Sequence, residues 1–228
     1  MIVSHRYKFI FIKTRKTAST SLEVFLSEHC DEKDIFTPIY PPISTHVPRN
    51  YRGFFNPLPE MMSGSVISAL TVAQDVLCQR KFYNHIPARS LRHRLPPEIW
   101  NNYFKFCIER NPWDKIVSCY HMQCGLNKWN KSFGQYLDEG KFPINYPLYL
   151  DHDYRILVDR VIRFERLYQE LGEVLEHLRI PYPGFLKVQA KSEYRQHRRP
   201  YQEYFTDHQR DFVAKVFAVE IDLHHYQF

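Results

Sequence analysis

Hydrophobic and polar positions follow two rhythms along this chain. Short apolar runs, which suit buried strands, are each followed by a stretch where apolar residues recur every three or four positions, which suits a helix packed on a sheet. Tyr7 to Lys13 (YKFIFIK) is the first run, and Leu22, Phe25, Leu26 and His29 fall on one face of the helix behind it. That helix is expected to open at Thr20, because Thr20-Ser21-Leu22-Glu23 has the spacing of a capping box. Tyr103 to Glu109 (YFKFCIE) is the second strand and ends abruptly at Arg110. Asn111 suits the cap of the next helix and Pro112 its first position. Trp113, Ile116, Val117 and Tyr120 form its apolar stripe, which leaves Ser118 on the polar side.

A third unit runs through Val161-Ile162-Arg163-Phe164 into a helix with Leu167, Leu171, Val174, Leu175 and Leu178 on one face. A last helix opens near Thr206 and carries Phe212, Val216 and Phe217. Residues 34–63 are rich in proline and aromatics and show no period; a loop of that length in a compact domain is usually functional. Ser65 to Arg80 reads as a helix with Val66, Leu70, Ala73 and Leu77 aligned. This alternation predicts a three-layer α/β/α domain with a mainly parallel sheet flanked by helices.

Composition narrows the picture. A chain of 228 residues suits one domain, 1–228, with a substantial core, and 44% hydrophobic content supports a folded globule. Five cysteines without a CxxC pair do not build a disulfide framework and read as thiols of a reducing compartment. The apolar core of the first segment, Phe9 to Ile12, is far short of the roughly 20 residues that span a bilayer. No membrane span and a cytoplasmic location are therefore expected. The net charge of +6 favours an anionic partner of some kind.

The chemistry concentrates where strands run into helices. Lys16-Thr17-Ala18-Ser19-Thr20-Ser21 offers one ammonium, four hydroxyls and a helix N-terminus, a set that can surround a tetrahedral anion. A nucleotide-binding P-loop would have glycines and place its lysine last, whereas here the lysine comes first and glycine is absent. Arg110 stands at the carboxyl end of the second strand, the edge of an α/β sheet where ligands collect, and with Ser118 it suits a second phosphate.

The pair RKTASTSLE and RNPWDKIVSCY resembles the two signature motifs of sulfotransferases that use 3′-phosphoadenosine 5′-phosphosulfate (PAPS), and is similar to the carbohydrate branch containing heparan and dermatan 2-O-sulfotransferases. The tail EYFTDHQRDFVAKVFAVEIDLHHYQF also resembles that family's closing helix. The resemblance implies a P-loop-NTPase-like fold, with residues 34–80 as an insertion that shapes the acceptor pocket. It implies that Lys16 to Ser21 hold the 5′-phosphosulfate, that Arg110 and Ser118 hold the 3′-phosphate, and that adenosine 3′,5′-bisphosphate (PAP) is the product, with no metal required. Ala18 and Ser19 stand where the family commonly has glycine, which requires a loop without positive φ at those positions.

Transfer to an alcohol needs a base. His85, 25 residues before Arg110, stands where the resembling family places a histidine implicated in that role. His46 and Glu109 are the other candidates. Arg198, Arg199, Arg195 and Tyr201 belong to a basic, aromatic loop that could close over the nucleotide. His46, Arg49 and Arg89, with Arg52, Arg92 and Arg94, are candidates for a groove that takes an acidic acceptor. Cys119, His121 and Cys124 point in different directions on one helix and do not make a metal site. The expected activity is sulfation of a hydroxyl on a carbohydrate or glycoconjugate. The alternatives are a P-loop-like small-molecule kinase and a basic nucleic-acid-binding module, which lacks any supporting motif here.

Overall fold

The structure is a computed structural model that describes residues 1–127, 130–186 and 199–228. Its strands are β1 (Ile2–Ser4), β2 (Phe9–Phe11), β3 (Ile35–Phe36), β4 (Phe104–Glu109) and β5 (Arg160–Arg163). The helices are α1 (Ser19–Ser27), α2 (Leu58–Met62), α3 (Val66–Leu77), α4 (Ala88–Arg94), α5 (Pro97–Asn102), α6 (Pro112–Asn127), α7 (Phe133–Asp138), α8 (Tyr146–Tyr149), α9 (Leu167–His177), α10 (Asp207–Val216) and α11 (Ala218–His224). No helix among the described residues is long and apolar enough to cross a membrane.

The strands form one five-stranded sheet in the order β3-β1-β2-β4-β5. It is mixed, not mainly parallel. β2, β4 and β5 pair in parallel, while β1 pairs antiparallel with both β2 and β3. The cause is the first apolar pair, Ile2-Val3, which folds back through a turn too short for a crossover and lies against Ile10 and Phe11. Phe9, Phe11, Phe106 and Ile108 face α1 and α9, where Leu22, Leu26, Leu171 and Leu175 bury against them. Ile10, Ile12 and Cys107 face the other way, towards Leu91 of α4, Trp100 of α5 and Tyr149 of α8. The sheet is thus a two-sided core with helices on both faces. Trp113 and Ile116 of α6 form a further apolar cluster with α7 and α10.

Two local expectations are corrected. α1 opens at Ser19, not Thr20, and no side chain caps it. Glu23 cannot close a capping box because its buried carboxylate pairs with Lys13 at 2.6 Å. On α3 the aligned stripe faces outward: Val66 is 79% exposed, Leu70 68% and Leu77 85%, while Val72 and Asp75 are buried. The helix is held by charge, since Arg94 of α4 reaches both Asp75 (2.9 Å) and Glu60 of α2 (2.7 Å) inside the protein. A buried arginine held by two carboxylates set the facing of α3 against its own apolar period.

Candidate active site

The carboxyl ends of β2 and β4 lie side by side. Ile12 donates its amide to the Phe106 carbonyl at 2.9 Å, and the Thr14 hydroxyl donates to the Ile108 carbonyl at 2.5 Å. A cleft of about 1050 Å³ opens above these tips. Its lining includes every residue from Thr14 to Ser21, together with His85, Arg110, Ser118, Arg199 and Tyr201. The Arg110 guanidinium donates to the Lys16 carbonyl at 3.2 Å, so the two sequence motifs meet across one hydrogen bond.

The loop after β2 is shaped by its hydroxyls more than it presents them. Thr14, Thr17 and Ser19 are buried and their oxygens bond one another, at 2.8 Å for Thr14 to Thr17 and 2.5 Å for Thr17 to Ser19. These hydroxyls fasten the turn from beneath. Lys16 (φ 62°) and Ala18 (φ 58°) both take the left-handed conformation, against the expectation that a glycine-free loop would avoid it. An L-residue there costs about 1–2 kcal/mol, which the hydroxyl cluster and the start of α1 offset. The first turn of α1 is closed by the Leu22 amide on the Ala18 carbonyl at 3.2 Å, and the N-terminal residues of the helix, Ser19, Thr20 and Ser21, line the cleft wall. The Lys16 ammonium rests 3.4 Å from the Met122 sulfur of α6.

Arg110 is tightly oriented. Its Nε and Nη2 donate to one Asp114 oxygen at 2.9 and 2.7 Å, and its guanidinium lies 4.1 Å from the Phe164 ring centre. Among the described residues, three of its five N–H groups are engaged, by Asp114 and the Lys16 carbonyl. Sequence alone singled out neither partner for this role: Asp114 could have been found as the residue one helical turn after Arg110, while Phe164, which follows β5, is brought to Arg110 only by the fold. Glu165 also lines the cleft and accepts the Asn111 amide at 2.6 Å, and burial raises its carboxyl above the usual range.

His85 sits in the wall with its Nδ1 2.9 Å from the Lys13 carbonyl. A carbonyl only accepts, so Nδ1 carries the proton and Nε2 keeps the lone pair. Burial pushes this imidazole down to about 3, with the nearby Lys13 ammonium adding to the effect.

The other candidates fall elsewhere. His46 is buried, stacks on Phe36 and hydrogen-bonds the Thr37 carbonyl at 2.9 Å, as a core histidine does. Glu109 is fully buried between Lys115, Asn145 and Tyr149 and does not reach the cleft. Arg49 lies over the Phe36 ring at 4.8 Å, and Arg89 is half-buried on α4; neither lines the cleft. Arg94 is locked between Glu60 and Asp75. No described residue from 34 to 80 lines this cleft. Arg199 does line it, with its guanidinium 3.8 Å from the Tyr204 ring centre, while Arg195 and Arg198 lie outside the described residues.

No protein-family model matches this chain. Over 101 residues it is 31% identical to an uncharacterized protein of Archaeoglobus fulgidus, an alignment that takes in 42% of this chain and 84% of the archaeal protein. With that much of the archaeal sequence matched at that identity, the chain belongs to the same family as the archaeal protein.

Proposed function

We propose that this protein is a sulfotransferase that takes PAPS as donor, releases PAP and sulfates a hydroxyl of a carbohydrate or glycoconjugate. One observation carries the reading: a single cleft joins the Lys16 loop, Arg110 and His85. The lining fits a donor with two separated anionic groups. Lys16 and the helix N-terminus that opens α1 suit the 5′-phosphosulfate, and the Arg110 guanidinium, with Ser118, suits the 3′-phosphate. A parallel β2-β4-β5 core with helices on both faces supports a three-layer, P-loop-NTPase-like reading of the fold.

The donor would supply an activated sulfuryl group. Lys16 then neutralises charge that grows on the leaving phosphate oxygen, as in phosphoryl transfer. His85 takes the acceptor's proton at Nε2. A bound polyanion favours the imidazolium and moves its pKa from about 3 back towards neutrality.

Thermal melting tests the reading. Adenosine 3′,5′-bisphosphate at 100 times its Kd should stabilise the protein by about 2.7 kcal/mol, and ATP or a duplex oligonucleotide by less. Arg110→Ala should remove most of that gain. Equal stabilisation by ATP would favour the kinase reading, and an unchanged shift in the variant would retire the 3′-phosphate site.

A further inference from the structure

Besides the Thr14–Ile108 and Arg110–Lys16 bonds, a buried polar network links the two strand tips through an amide side chain. Asn145 is fully buried just before α8. Its Oδ1 accepts the Arg15 amide at 2.8 Å and its Nδ2 donates to the Arg15 carbonyl at 3.0 Å, so it pairs with that residue as a neighbouring strand would. The same Nδ2 donates to Glu109 Oε1 at 3.1 Å. Glu109 Oε1 in turn accepts the amide of Arg110 at 2.9 Å and the Lys115 ammonium at 2.9 Å. Behind Asn145, Glu220 of α11 accepts the amides of Asn145 and Tyr146 and pairs with Lys115 at 2.6 Å. The residue before Lys16 and the residue before Arg110 therefore share one partner, and that partner is anchored to a third element.

We infer that Asn145 is a positioning residue that fixes the spacing between the Lys16 loop and Arg110, and so sets the cleft's preference for ligands carrying two anions. The adenosine ligands used to test it rest on the sulfotransferase reading; the spacing itself does not. The amide is the only common side chain of this size that can accept from Arg15 N–H and donate to both Arg15 C=O and Glu109. Asn145→Ala leaves the Arg15 amide and carbonyl without this partner and loosens the spacing of the tips, which the Thr14–Ile108 and Arg110–Lys16 bonds then hold without it. Asn145→Asp keeps the volume and the bond from Arg15 N–H, but loses both donations and faces Glu109 with a like charge.

The test begins without ligand. Amide hydrogen exchange in Asn145→Ala should accelerate in segments 14–21 and 109–114 together, by about tenfold or more, and stay unchanged in α9. Change in only one segment, or in neither, overturns the inference. Affinities for adenosine 3′,5′-bisphosphate, adenosine 5′-phosphate and adenosine 3′-phosphate then supply a readout that a general loss of stability does not move. The bisphosphate should lose at least tenfold, and each monophosphate, which needs only one tip, less than threefold. Equal loss for all three overturns the assignment. Should the alanine variant not fold, Asn145→Asp is read by the same two measurements. If the wild-type protein ignores all three nucleotides, the sulfotransferase reading fails, and the exchange result still decides the role of Asn145.

Discussion

His85 offers a test of whether the cleft wall is as dry as the structure draws it. Its imidazole is held at about 3 in the folded protein and returns to 6.5 when the chain unfolds. A group whose folded pKa is depressed stabilises the protein above its unfolded pKa, and that stability drains away as pH falls towards the folded value. The window here runs from about pH 6.5 down to about 3. By linkage, the folded state should lose ~2 kcal/mol through this residue by pH 5, with more to come below that. Asn is the replacement of choice: its amide can still donate to the Lys13 carbonyl, and it tolerates the left-handed backbone His85 adopts (φ 59°). Urea midpoints of wild type and His85→Asn, measured every half pH unit from 7.5 to 4.5, should converge near neutrality and separate on acidification, with the variant the more acid-resistant. Subtracting the two curves cancels the other buried histidines, His46 and His224, whose pKa values burial also lowers. Parallel curves would mean that the imidazole titrates normally in the fold, and the argument for a buried, neutral base would fall with them.

Glu220 titrates in the opposite sense. Burial, then the charge of Glu109, lift its carboxyl to about 7, so its own contribution to stability is full below about pH 4.5 and is lost as pH rises through 7; in Glu220→Gln that part of the decline should vanish from the denaturation profile. Ala18→Gly should change stability by less than about 1 kcal/mol, whereas Ala18→Val, a branched residue forced to φ 58°, should cost more than 1 kcal/mol in the same assay. Leu70→Ser and Leu77→Ser should each fall within about 0.5 kcal/mol of wild type because both face solvent, while Leu171→Ala in the core should cost about 2–5 kcal/mol. Destabilisation by Leu70→Ser of several kcal/mol would place α3 the other way round. In the proposed reaction, His85→Ala should reduce turnover at least a hundredfold and leave adenosine bisphosphate affinity within threefold; persistent turnover would send the search for a base to Glu165, the carboxylate in the cleft lining.

What the sequence disclosed was local and periodic. The β4-to-α6 passage was legible because Asn111 and Pro112 act on their own neighbours: Asn111 does accept the Trp113 amide, at 3.1 Å. The apolar face of α9 was equally plain, since Leu167, Leu171, Val174, Leu175 and Leu178 all pack inward. Lys16 and Arg110 could be named because short motifs carry them, and His85 because of its distance before the second motif in the resembling family; all three line the cleft. The facing of α3 was hidden because Arg94, 19 residues on from Asp75, decides it through a buried ion pair. The antiparallel β1 was missed because three residues hold too little pattern to separate a strand from a frayed end. Asn145 gave no signal either, being 130 residues from the Arg15 backbone that it clasps.

Lys16 and Ala18 bend left where glycine would ordinarily be chosen. A glycine loop is limp until its ligand arrives and must surrender that freedom on binding. This one has already given it up, since the neighbours that force the bend are in place once the chain folds. If the loop takes an anion as proposed, its backbone should move no further than thermal scatter on binding, and that affinity should depend little on temperature-driven loosening.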